Sequence, residues 1–208
     1  MLADIRGNPA AALAHYAVGL RTFEATNDLE PLCWLLNNLG VLHAKEQRYE
    51  DACSAFRRAI GISRARGDLM CEGVVEESRA ELELIRGAID DAYAPITRAY
   101  EIAEQRSDDL RRGAALKLRG AYQRLSGRPS EAVETLRYAL TLSAVGEDAL
   151  LGAEVLYQFG LALFEDGQER SAEDAWRASM DAFERIAARR WVGRVRQRLS
   201  GGVTGRYF

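Results

Sequence analysis

Lysine is nearly missing from this 208-residue chain, since 26 of its 28 basic residues are arginine, a bias of the source genome that carries little mechanism. Only two histidines occur, His15 and His43, and neither stands at a spacing that suits a metal site or a nucleophile triad. The three cysteines, Cys33, Cys53 and Cys71, are odd in number and include no C-x-x-C pair. That pattern speaks against a disulfide or zinc framework and predicts reduced thiols that serve as small packing residues. Four prolines and no long Ser/Gly tract argue against disorder. No run of 18 apolar residues occurs, and the N-terminus lacks a basic-then-apolar leader pattern, so a cytoplasmic protein with no membrane partner is expected. A phosphate-binding glycine loop is also missing. With no catalytic, metal or cofactor constellation, the sequence reads as a binding protein and not as an enzyme.

What is present is a repeat of period 40. Ala12, Ala52, Ala92, Ala132 and Ala172 stand 40 residues apart, and four residues after each comes a bulky side chain: Tyr16, Phe56, Ile96, Leu136 and Trp176. Three further on the residue is small each time, as Gly19, Ala59, Ala99, Ala139 and Ser179. Upstream, Gly40, Ala80, Gly120 and Gly160 form another small column, and Gly7, Gln47, Gly87, Gly127 and Gly167 a turn column. Asp28, Asp68, Asp108 and Asp148 complete the register. Repetition at this period is the mark of stacked supersecondary units.

Within each unit two 3.6-periodic apolar stretches meet at the turn column, which makes the unit a helical hairpin. The glycines suit the left-handed residue that closes a first helix, Pro129 suits the first turn of a second helix, and the aspartates suit N-caps of the next unit. First helices are expected at 29–46, 69–86, 109–126 and 149–166, and second helices at 8–26, 48–66, 88–106, 129–146 and 168–187. The repeats run 1–28 (partial), 29–68, 69–108, 109–148 and 149–188 within a single domain. Residues 1–6 match only the tail of a first helix, which leaves Leu13, Tyr16 and Leu20 of the opening unit without a preceding partner helix and makes self-association there one reading. Residues 189–200, in which Trp191, Val195 and Leu199 repeat the phase of Leu151, Val155 and Phe159, are expected to form a capping first helix, followed by a tail at 201–208.

Asn38-Leu39-Gly40, then Tyr49, Ala52-x-x-x-Phe56 and Ala59, resemble the Leu-Gly…Tyr…Ala-x-x-x-Phe…Ala signature of tetratricopeptide repeats. The resemblance covers residues 7–187, and it implies an all-α, right-handed superhelical solenoid of helical hairpins. The family's usual period is 34. Similar 40-residue variants, closing on pairs such as Gly67-Asp68 and Asn27-Asp28, occur in spindle-orienting adaptors and in the C-terminal sensor regions of bacterial signal-transducing ATPases and related transcriptional activators. The ending Phe183-x-x-Ile186-x-Ala188-x-x-Trp191-x-x-Arg194-x-Arg196-x-x-Leu199 is more similar to the bacterial group.

The resemblance also implies a concave groove of first helices that grips another protein or a peptide segment. Its positions here are Trp34, Asn37, Val41 and Lys45; Val74, Glu77, Glu81 and Ile85; Ala114, Lys117, Ala121 and Leu125; Glu154, Tyr157, Leu161 and Glu165. The other reading of each is packing between neighbouring first helices. Asn38, Ser78 and Gln158 share a column able to bond a ligand backbone, which Leu118 interrupts. Acids at Glu72, Glu76, Glu77, Glu81 and Glu83 face a unit carrying Arg111, Arg112, Lys117, Arg119 and Arg124, a pattern read as inter-repeat ion pairs ahead of an electrostatic groove. The net charge of −3 hides seven arginines and no acid in residues 185–208. That basic end reads as a solvated cap ahead of a nucleic-acid site, because no aromatic residues are interleaved as stacking platforms. A small-molecule effector-sensing module is the alternative to peptide binding.

Overall fold

In the computed structural model, residues 9–145 and 148–201 are described. They form ten helices: α1 (Pro9–Thr26), α2 (Leu29–Lys45), α3 (Tyr49–Arg66), α4 (Leu69–Arg86), α5 (Ile89–Gln105), α6 (Asp109–Leu125), α7 (Pro129–Val145), α8 (Ala149–Glu165), α9 (Glu169–Arg185) and α10 (Arg189–Leu199). No strand occurs among the described residues. The fold is an all-α helical repeat, its helix ends falling within one or two residues of those expected from the columns. The first-helix remnant at 1–6 and all but Gly201 of the tail lie outside the described residues.

The turns explain the agreement. Gly67, Gly87, Gly127 and Gly167 have φ between +66° and +81°, the left-handed region in which a residue without Cβ costs least. The same conformation falls on Asn27, Gln47, Ser107 and Ala187, with φ from +51° to +59°. Described turns thus recur at a 20-residue spacing, alternately after a first and after a second helix. Three aspartates act as N-caps: Asp68, Asp108 and Asp148 accept from the backbone N–H of Cys71, Arg111 and Leu151 at 2.9–3.0 Å. Asp28 makes no such bond.

The chain divides into two compact units, Met1–Leu82 and Glu83–Phe208, with the division inside α4. In the first, α1 packs on α2 and α2 on α3. Its core gathers Leu32, Leu36, Phe56, Ile60, Val75 and Leu82, with Leu20, Phe23 and Trp34 half-buried against it. In the second, each helix from α5 to α9 packs on its successor, and α6 also meets α8. Its core is built on Leu116, Leu136, Val155, Tyr157, Trp176 and Phe183. In both units the small-residue column seats the bulky one: a Cβ on Gly40 would run into the Phe56 ring, one on Gly120 into Leu136, and one on Gly160 into the Trp176 indole. Helix pairs therefore approach more closely than side chains at those glycines would allow.

One expectation is overturned. Cys33 of α2 and Cys71 of α4, both buried, are joined in a disulfide with their Cα atoms 7.1 Å apart, and Cys53 is in no disulfide. Residue counting misses the pair because the cysteines are 38 residues apart and occupy different columns. They meet where two successive first helices pack.

At the C-terminal end, α10 seats Val195 in the core and lays Trp191 flat on Phe183, ring centres 4.9 Å apart. Arg194 covers the indole at 4.7 Å. The helix has an apolar inner side, and its arginines Arg189, Arg190 and Arg196 are exposed.

Candidate functional site

The groove positions fall into three groups. In the second unit they are used by the protein itself. Tyr157, Gln158, Leu161 and Ala121 are buried, Tyr157 with its ring against the edge of Trp191 at 5.6 Å. Lys117 of α6 donates to Glu154 of α8 at 2.5 Å, and Arg124 of α6 to Glu165 of α8 at 2.6 Å. These are ion pairs between successive first helices. Arg124 is buried, whereas the Glu165 carboxylate that it reaches is exposed, so the pair is solvated on its acid side. Ala114 and Leu125 are half-buried, as is Ile85.

Two acids of α4 pair with the helix before it. Glu72 and Glu76 are buried, and Arg64 of the preceding helix α3 spans both at 2.9 and 3.0 Å. Glu76 occupies the column of Leu36, Leu116 and Leu156, and the guanidinium groups of Arg64 and, one turn on, Arg79 at 3.5 Å compensate the buried carboxylate there. Glu83 pairs with Arg86 one turn on. On the other side of the expected pattern, Arg112 bonds Asp109 and the Tyr138 hydroxyl, and Arg119 stacks over Tyr100 at 4.5 Å. Glu77, Glu81, Val74 and Ser78 are half-buried, with the Ser78 hydroxyl turned back to its own helix at Val74.

The third group lies on α2 and differs in kind. Asn37 is buried, Lys45 is exposed and Val41 is half-buried against the first unit's core. Trp34 and Asn38, by contrast, line an open cleft of about 360 Å³ together with Glu30, Pro31 and Leu35 of the same helix and Tyr16 of α1. Positions 30, 31, 34, 35 and 38 follow the i, i+4 and i+3 spacing of one helix face. In the second unit the matching face of α8, through Glu154, receives α6. On α2 the face meets Tyr16, which belongs to the bulky column of Phe56, Leu136 and Trp176 yet remains only half-buried.

The cleft's chemistry is mixed. Trp34 and Tyr16 offer aromatic surface, Pro31 and Leu35 aliphatic surface, and Asn38 an exposed amide. Among the described residues the Glu30 carboxylate is the one charged group in the lining, and it is held at 3.2 Å by Arg66 of α3. In the sequence Tyr16 stands in the bulky column and as an uncovered side chain, not among the groove positions. Its partnership with Trp34 depends on how α1 lies against α2, which no column records.

Elsewhere, His43 is half-buried on α2, and burial with the nearby Arg48 guanidinium lowers its pKa and favours the neutral ring. Among the described residues no group of three or more His, Cys, Asp or Glu is placed to hold a metal ion. No described helix is long and apolar enough to cross a membrane. No family model matches the chain, and no curated protein matches it.

Proposed function

We propose that this chain is a tetratricopeptide-type interaction protein that acts by holding a segment of another protein, with no covalent step. The observation that carries the reading is the cleft between α1 and α2, where the groove positions Trp34 and Asn38 remain accessible beside Tyr16. An aromatic pair flanked by an amide and a carboxylate suits a peptide side chain, offering apolar contact area with polar groups to orient it. The ion pairs between α6 and α8 support the same conclusion from the other direction. They occupy groove positions of the second unit with the protein's own side chains, whereas Trp34 and Asn38 of the first unit line a cleft.

Selection of phage-displayed peptides on the purified full chain tests the proposal. Enriched sequences whose binding falls at least about tenfold in Trp34→Ala, the loss expected of an aromatic anchor, support it. A selection that enriches nothing on folded protein, or binders indifferent to Trp34→Ala, rejects it.

A further inference from the structure

Cys33, one end of the disulfide, is the residue before Trp34. The helix that carries it, α2, supplies Glu30, Pro31, Trp34, Leu35 and Asn38 to the cleft's lining. The cleft therefore moves with α2, and α2 is tied covalently to α4. In the second unit the successive first helices α6 and α8 are joined by ion pairs, Lys117 to Glu154 and Arg124 to Glu165, which a reductant leaves untouched. The joint between α2 and α4 includes a bond that a reductant breaks.

Breaking it changes the space that the joint needs. Bonded sulfurs sit about 2 Å apart, whereas heavy atoms in mere contact sit about 3.5–4 Å apart. Cys33 is 1% exposed and Cys71 0%, both in the first unit's core. A close-packed core holds no void for the difference. Either α2 shifts against α4 or the side chains turn, and both changes reach Trp34, which packs on the same core. The reduced pair still suits its surroundings: Cys33 shares its column with Gly73, Gly113 and Ala153, where a small residue is wanted, and a thiol is small and apolar. The bond also lies where a fold opens first. Cys71 is the third residue of α4 and Cys33 the fifth of α2, and helix ends fray before their middles.

We propose that Cys33 and Cys71 form a reversible redox switch for the cleft between α1 and α2: the bond holds α2 where the cleft is formed, and reduction lets α2 move and reshapes it. The consequence for binding rests on the peptide-holding reading above. The reductant is a dithiol. One of its thiolates attacks the Cys71 sulfur and displaces Cys33 as a thiolate, which takes up a proton; its second thiolate then attacks the mixed disulfide and releases Cys71, which is protonated in turn. Two electrons and two protons pass to the protein, and the reductant leaves as its own disulfide. A small-molecule disulfide reverses the exchange.

The test uses the full chain labelled with nitrogen-15, with the Trp34 indole N–H resonance assigned by its loss in Trp34→Phe. Dithiothreitol is expected to move that resonance and leave the Trp176 indole of the second unit in place, and glutathione disulfide to return it. Cys71→Ser should hold the reduced position whether or not reductant is present, with Cys71→Ala used if the buried hydroxyl prevents folding. Peptides selected on the oxidised chain should bind the reduced chain about tenfold more weakly, an ordinary size for coupling between two places in one protein. A Trp34 resonance that is the same in both forms overturns the proposal. So does a reduced chain that circular dichroism shows to be unfolded, since the bond would then be a staple and not a switch. Peptides that need Trp34 yet bind both forms alike would overturn the switch and leave the scaffold reading standing. A Trp34 resonance that follows the redox state while the selection enriches nothing would support the switch and count against the scaffold reading alone.

Discussion

Ala187 has φ +55°, in the column where Gly67 does the same work without a Cβ. A left-handed alanine carries a steric cost of about 1–2 kcal/mol that glycine escapes, part of which glycine returns as extra unfolded-chain entropy. Ala187→Gly should therefore stabilise the protein by about 0.5–1 kcal/mol, seen as a raised midpoint in guanidinium unfolding. An unchanged or lowered midpoint would mean that the turn is not left-handed. Gly160 is the opposite case. A methyl group there has to displace the Trp176 indole, whose Nε1–H donates to the Tyr157 carbonyl at 3.3 Å. Overpacking of this kind costs about 1–3 kcal/mol. Gly160→Ala should lower the unfolding midpoint accordingly, while Gly152→Ala, with open space around its Cα on the same helix, should not.

Among the helices, the junction of α7 and α8 offers a pH test. Asp166, at the C-terminal end of α8, accepts from the Ser130 hydroxyl and from the Gln168 amide. These bonds, Ser130 first, favour the ionised carboxylate and lower its pKa below the 3.8 of an ordinary aspartate. A lowered folded-state pKa means stability present above pH 3.8 and lost as pH falls through the folded value. The Asp166 carboxyl resonance should titrate with a midpoint below 3.8 and move back toward it in Ser130→Ala. A midpoint that ignores the substitution would exclude this assignment. Helix positions such as these were legible in the sequence, because turn glycines, capping aspartates and seat glycines each answer a local backbone need. What the columns could not show was which helix supplies a partner. Glu76 reads as one of the acids facing the next unit, and the column does not show that Arg64 of the helix before it reaches that carboxylate, while Tyr157 looks like groove lining until Trp191 covers it. Trp34 was legible as a groove residue, but its cleft was not, since Tyr16 joins it only through the packing of α1 on α2.

For the molecule as a whole, the division into two units has a chemical counterpart. The Cys33–Cys71 disulfide lies entirely in the first unit. Alkylation of the native, unreduced protein should label Cys53 alone, and all three cysteines after reduction and unfolding, as read by mass. Reduction removes a cross-link that, on the chain-entropy account, contributes at most about 4 kcal/mol for a 38-residue separation. Amide hydrogen exchange should then accelerate in peptides from 29–82 and change little in peptides from 109–199. Acceleration confined to the second unit would contradict that location, and uniform labelling of all three thiols in native protein would show the bond unformed.

The left-handed turns at a 20-residue spacing have a consequence for how such a chain can change its length. Every described joint is the same kind of joint, so the sequence behaves as arithmetic modulo 40. Insert or delete 40 residues at any turn, and each bulky side chain still finds a small one opposite. Insert 20, and every joint remains sound, yet a bulky column is brought against another bulky column at the next seam. The permitted step of growth is therefore set by side-chain volume between helices and not by the turns, which would accept half that step.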